Sequence, residues 1–210
     1  MIAKAHHFDL IETMAFDPAI GLPLLDLHIR RLETSAHELG FILDRHELRN
    51  ELQAATFGYV EPRRVRILLG RIGTLSIEVR AMPPAPTDPV AVSIAPRLLG
   101  GEDVRVRHKT TDRRHYEAPL RQNGTFEVLL TDEDGWLTEG CFTNLFVARG
   151  DSLLTPPLSR GLLPGVLRQS LLHEGKAQEA DLRPEDLADG FFIGNAARGL
   201  MAARLVAPKG

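Results

Sequence analysis

The 210 residues predict a mixed α/β (α+β) protein of two domains, and three observations carry that expectation. Apolar spacing alternates between the helical period and the strand period along both halves of the chain. The proline-rich run MPPAPTDP, Met82 to Pro89, interrupts the pattern with a segment unfit for a helix or an interior strand. The hydrophobic content of 43% is enough to bury one large core or two modest ones at this length. We therefore expect a small N-terminal α/β domain at 1–84 and a larger C-terminal mixed-sheet domain at 85–210.

The elements follow in order. FDLIETM, Phe8 to Met14, is an opening strand candidate. A helix is expected near Leu25 to Leu39, because Leu25, Ile29, Leu32, Ala36 and Leu39 fall on one face, and Gly40 ends it. His28 lies on that face, where packing or a hydrogen bond is its expected role. A second helix is expected near Arg45 to Ala55. RVRILLGRIGTLSIEVRA then reads as a hairpin turning at Arg71-Ile72-Gly73. Beyond the linker, VAVSIA, TFEVLLT, FTNLFVA and SLLT are strand candidates. A helix opens after Pro164, a short one is expected around Pro184 to Ala188, and FFIGNAARGLMAARLV closes the chain as a strand pair.

Composition narrows the function class. A net charge of −3 argues against general nucleic-acid binding, although Arg97 to Arg114 is locally basic and suits a small anionic ligand. An RNA-binding role for RVRHKTTDRRH would lack aromatic stacking partners. No apolar run reaches membrane-spanning length and MIAKAHHFDL has no signal-peptide core, so a cytoplasmic protein with no membrane partner is expected. Cys141 is the single cysteine, which excludes an internal disulfide, and the eight histidines are scattered. No metal site is expected.

Three segments carry chemistry. In RVRHKTTDRRHYE, Arg105 to Glu117, Lys109 is the only lysine between Lys4 and Lys176, and arginines 105, 107, 113 and 114 flank it. Ordinarily such a lysine marks a wet basic loop. Arginines that also surround it in space would favour the neutral amine needed to form a Schiff base and then act as a base. Glu139 follows the polar turn TDEDGW and precedes an apolar run, so its carboxylate should face inward at a strand edge, where it could hold a proton on a pyridine nitrogen. In SRGLLPGVLRQSLL, Pro164 and Gly165 open a helix whose Val166 and Leu167 amides would face an anion. Aldehyde, ring nitrogen and phosphate are the three parts of pyridoxal 5'-phosphate.

These segments, with FDLIETM and LLDLHIRRLETSAHELGF upstream and FFIGNAARGLMAARLV downstream, resemble the class IV, or fold-type IV, aminotransferase family. The resemblance implies a two-domain pyridoxal-phosphate enzyme with the cofactor in the cleft between domains. It makes Lys109 the Schiff-base lysine, Glu139 the partner of the pyridine nitrogen and Arg31 of HIRRL a phosphate ligand beside the Val166 and Leu167 amides. Asn195 of IGNAA stands where many relatives have a phosphate-binding threonine, and its amide can donate the same bond. Tyr116 is assigned near the cofactor hydroxyl; branched-chain enzymes place that tyrosine where this chain has Arg114. Leu167 replaces a threonine of many transaminases, and the chain opens without the relatives' extra N-terminal hairpin, so a weaker hold on the cofactor is expected.

HKTTDRRHYE and FDLIETMAFDPAIGLPLLDLHIRRL look most like the 4-amino-4-deoxychorismate lyase branch of that family. That similarity implies release of 4-aminobenzoate and pyruvate in folate biosynthesis, from a small anionic amine substrate. Arg97, Arg107, Arg114 and Arg198 are the candidate partners of its carboxylates. A homodimer is expected, with the aminodeoxychorismate synthase component as a further partner. An aminotransferase acting on branched-chain or D-amino acids would share Lys109, Glu139 and the phosphate cup. A relative that binds cofactor without turnover is the remaining alternative.

Overall fold

The computed structural model describes residues 8–207; the opening MIAKAHH, part of the segment read for a signal peptide, lies outside them. The described residues form two compact units, one of 8–82 with 109–112, the other of 83–108 with 113–207.

In the first unit, β1 (Leu10–Phe16), β2 (Arg63–Leu69) and β3 (Leu75–Ala81) form an antiparallel sheet in the order β1-β2-β3. β2 and β3 are the expected hairpin, paired from Arg63 opposite Ala81 to Leu69 opposite Leu75. Helices α1 (Leu25–Leu39) and α2 (Arg45–Thr56) cover the sheet, with Ile29, Leu32, Ala36, Leu48 and Leu52 buried. Period-2 alternation puts Leu10, Glu12, Met14 and Phe16 on one buried face of β1. An acid therefore stands among the core residues.

Residues 109–112 belong with this sheet because their backbone bonds go to β1. Ile11 donates its N–H to the carbonyl of Lys109 (2.9 Å), and Thr111 donates to that of Asp9 (2.9 Å). Thr110 bridges Leu10 and is buried.

The second unit is built on an eight-stranded mixed sheet. Its strands are β4 (Val90–Pro96), β5 (Glu127–Thr131), β6 (Leu137–Gly140), β7 (Asn144–Arg149), β8 (Ser152–Thr155), β9 (Ala177–Glu179), β10 (Phe191–Asn195) and β11 (Gly199–Leu205). They are ordered β6-β5-β4-β11-β10-β7-β8-β9, with β4 parallel to β5 and β11, and β8 parallel to β9. Val92, Leu129, Leu137, Leu145, Phe191 and Ile193 centre its largest apolar cluster.

Helix α3 (Val104–Arg107) and helix α4 (Arg114–Asn123) lie in the crossover between β4 and β5, and neither is among the expected elements. The reason for the second is visible in its residues. α4 is polar and carries Pro119 in its interior, a position that removes an N–H from the helical ladder. Tertiary packing compensates: Tyr116 is buried with Val128, Leu130 and Cys141, and Leu120 packs beside them. Helix α5 (Val166–His173) follows Pro164 as expected, and the short helix near 184 is a 3-10 turn at Pro184–Leu187.

Candidate functional site

Each unit carries part of the predicted equipment. In the first, Arg31 on α1 reaches Glu12 on β1 with two parallel bonds, Nε to Oε1 at 2.8 Å and Nη2 to Oε2 at 2.6 Å. Such a two-point fork fixes the plane and direction of the guanidinium. His28, one turn earlier, presents Nδ1 to the same Oε2 at 2.7 Å. Burial is the largest influence on the Glu12 carboxyl and pushes it up, but the charges and hydrogen bonds of Arg31 and His28 together outweigh it, and the group settles at about 2. Glu12 is thus ionised at any ordinary pH. The Nε2 of His28 is buried and makes no hydrogen bond among the described residues. Lys109 is half-buried, and its backbone carbonyl is tied to β1 one residue before Glu12.

In the second unit, Glu139 sits on β6 at the sheet edge with its side chain buried, in the inward orientation that the sequence suggested. The Tyr116 hydroxyl donates to Glu139 Oε1 at 2.6 Å. Burial raises the Tyr116 phenol well above its usual range and the Glu139 charge raises it further, so Tyr116 stays a neutral donor. Arg113 stacks over the Tyr116 ring at 4.7 Å and donates to the Cys141 carbonyl. Cys141 is buried, and burial pushes its thiol up with the Glu127 and Glu139 charges adding to the shift, so it is inert.

α5 begins at Val166 with Gly165 as its cap residue, and no side chain caps the first amides. Glycine is required there: a Cβ would lie 1.6 Å from Asn144 Oδ1. Asn144 in turn donates from Nδ2 to the Leu163 carbonyl (3.4 Å), so its side chain braces the turn ahead of the helix. Asn195 accepts from the Ala197 and Arg198 amides (3.0 Å each) and donates from Nδ2 to the Phe142 carbonyl (3.1 Å). These bonds fasten two turns together and leave one amide hydrogen of Asn195 for another acceptor.

The four arginines proposed for substrate carboxylates differ in how they are engaged. Arg97 pairs with Glu133 and donates to the Arg160 carbonyl, and Arg107 pairs with Glu102 at an exposed position. Arg114 is exposed at the start of α4. Arg198 lies over the Phe126 ring at 5.8 Å and pairs with no carboxylate among the described residues.

The class IV amino-transferase family model matches residues 9–206. The chain belongs to the class IV aminotransferase family. Membership makes it a pyridoxal-phosphate-dependent enzyme with a mixed α/β fold. A Mesorhizobium loti protein described as a "Putative amino-acid aminotransferase" is 38% identical in sequence, covers 95% of this chain and 100% of its own, and superposes with a TM-score of 0.87. A Schizosaccharomyces pombe protein described as "Putative aminodeoxychorismate lyase" is 28% identical over 192 residues, 87% of this chain and 82% of its own. The PLP-bound form of a hypothetical aminotransferase from Mycobacterium tuberculosis shares the fold, with a TM-score of 0.83 at 22% identity over 96% of this chain and 82% of its own.

The donor set fits the cofactor. A buried carboxylate facing a neutral phenol can keep a pyridine nitrogen protonated, and a glycine-capped helix start offers bare amides to a phosphate. Sequence reasoning missed three side chains that brace this equipment: Glu12, Glu127 and Asn144. A signal existed for the acids, since both interrupt the apolar face of a strand candidate, in LIETMAF and in FEVLLT.

Proposed function

We propose that the chain is a 4-amino-4-deoxychorismate lyase that forms 4-aminobenzoate and pyruvate. The observation that carries this reading is the Schizosaccharomyces pombe relative described as an aminodeoxychorismate lyase, whose similarity runs through most of both chains. The likeness of HKTTDRRHYE to that branch supports it.

When bound, pyridoxal phosphate supplies an electron sink for the pair released on breaking a C–H bond. Lys109 Nζ would hold the cofactor aldehyde and would serve as the base for the proton on the amine-bearing carbon of the substrate. Glu139 would keep the proton on the ring nitrogen, and the Tyr116 hydroxyl steadies the carboxylate through its bond to Oε1. Arg31 would be a phosphate ligand in the first unit, and in the second the Val166 and Leu167 amides would take the phosphate, with Asn195 free to donate its remaining amide hydrogen. Arg198, uncommitted to any carboxylate among the described residues, is the first choice for a substrate carboxylate, ahead of Arg97, Arg107 and Arg114. On this reading the enzyme is a cytoplasmic homodimer in folate biosynthesis, taking its substrate from the aminodeoxychorismate synthase component.

The Mesorhizobium loti relative favours a second reading, an aminotransferase that uses the same residues but returns a proton to the cofactor and accepts a keto acid. Product analysis separates them. Release of 4-aminobenzoate from aminodeoxychorismate without any keto acid is the expected result. Turnover of an amino acid only when a keto acid is supplied, with no 4-aminobenzoate formed, would replace the lyase by the aminotransferase. Loss of the visible absorbance band in Lys109→Ala checks the lysine's role independently of substrate.

A further inference from the structure

Glu127 is wholly buried at the start of β5 and touches no group assigned above to substrate or cofactor. Its carboxylate nevertheless accepts four hydrogen bonds. Oε1 takes the N–H of Val128 (2.8 Å) and of Cys141 (2.9 Å); Oε2 takes the N–H of Phe142 (3.0 Å) and the hydroxyl of Thr143 (2.8 Å). Three of the four donors belong to the turn that follows Glu139, which is closed by the Gly140 N–H on the Thr143 carbonyl (2.8 Å).

The turn is built around this carboxylate. A Cβ at Gly140 would stand 2.7 Å from Glu127 Oε2 and 2.5 Å from Thr143 Oγ1, so the residue between Glu139 and the turn must be glycine. An ionised carboxylate is the one side-chain group that only accepts, with lone pairs for all four donors. Glutamine would aim an N–H at the Phe142 N–H or at those of Val128 and Cys141. The same turn also reaches the other half of the site: Phe142 O receives the Asn195 amide, and Asn144 braces the Leu163–Gly165 segment ahead of α5.

We infer that Glu127 is a positioning residue for pyridoxal phosphate: it holds residues 140–144 in the conformation that presents Glu139 to the ring and the 163–167 segment and Asn195 to the phosphate. The inference rests on cofactor dependence, and it holds for a lyase or an aminotransferase. Burial raises the Glu127 carboxyl to about 7 against the pull of its four donors, so this acid costs stability at neutral pH. What it contributes in return is the shape of the turn.

The test compares three variants of the 210-residue chain, Glu127→Gln, Thr143→Val and Leu187→Ala, by apoprotein melting and by titration with pyridoxal phosphate followed at the visible band. Leu187 is a core residue remote in sequence from the turn, and its truncation supplies a destabilised control. For Glu127→Gln we expect the dissociation constant to rise about tenfold and the band maximum to move, the change expected from about one lost charge-assisted hydrogen bond's worth of placement. Thr143→Val should weaken binding about threefold, and Leu187→Ala should lower the melting temperature with affinity within about twofold of wild type. Glu127→Gln binding within twofold of wild type overturns the inference, as does an equal loss of affinity in Leu187→Ala. Should Glu127→Gln fail to fold, unchanged affinity in Thr143→Val overturns it and a threefold loss supports it. Wild-type protein with no saturable binding would overturn the cofactor reading and this inference together.

Discussion

Glu12 and Glu127 are the same residue type, each on the core face of a strand, exposed by 1% and 0%. One settles at about 2 and the other at about 7, from the same starting value of 4.5. Desolvation is the largest single influence on both and pushes both up. The difference lies in the partners. Glu12 faces the full positive charge of Arg31 and the ring of His28, whereas Glu127 faces three peptide N–H groups and a hydroxyl, which are dipoles. A nearby charge offsets a desolvation cost that four neutral donors only reduce.

The contrast breaks most sharply if the charge is taken away. Arg31→Leu leaves Glu12 buried beside His28 alone, and we expect a loss of about 3–5 kcal/mol in urea unfolding at pH 7, the usual cost of stranding one member of a buried pair. A loss under about 1 kcal/mol would show that the Glu12 site rehydrates and that the pairing matters little.

The two acids should next be seen in opposite limbs of the stability–pH curve. Glu12, lowered from 4.5 to about 2, binds its proton more weakly folded than unfolded; its contribution is complete above 4.5 and disappears as pH falls toward 2. Glu127, raised to about 7, binds its proton more tightly when folded, so stability declines as pH rises from 4.5 to 7 and the cost persists above. Each limb is worth about 3 kcal/mol. Glu12→Gln should flatten the acid limb alone and Glu127→Gln the neutral limb alone, read from chemical denaturation at half-unit pH steps.

Tyr116→Phe asks whether a neutral donor on a third buried acid, Glu139, behaves like those on Glu127. Deleting its hydroxyl should cost about 1.5 kcal/mol, as for a hydrogen bond to a charged group. The smallest effect is expected for Asn195→Thr, about 1 kcal/mol or less, because a threonine oxygen can still accept from the Ala197 amide while the bond to Phe142 is lost. A cost above that of Tyr116→Phe would make the Asn195 link, and not the Glu139 contact, the stronger tie in the second unit.

Periodicity made most of the fold legible before the structure. Strand β1, helix α1 with its buried His28, the β2–β3 hairpin and the β10–β11 pair all follow from spacings of two or of three and four residues. Helix α4 did not, because Pro119 and a polar composition argue against a helix that packing on β5 sustains. Glu139 was legible as an inward-facing acid from the turn before it. Glu127 was legible only as an acid interrupting an apolar face; its role was not, since three of its four donors lie fourteen to sixteen residues away across a hairpin.

What the sequence determined by itself is the run of local elements and the residue types a phosphate, a ring nitrogen and an aldehyde need, because both depend on neighbours along the chain. Which group each buried acid faces was decided only by the tertiary structure. Arg31 reaches Glu12 from nineteen residues away, and the turn amides reach Glu127 from the far side of a strand pair. Burial itself can be read from spacing. Charge state cannot, because it depends on partners that folding brings together.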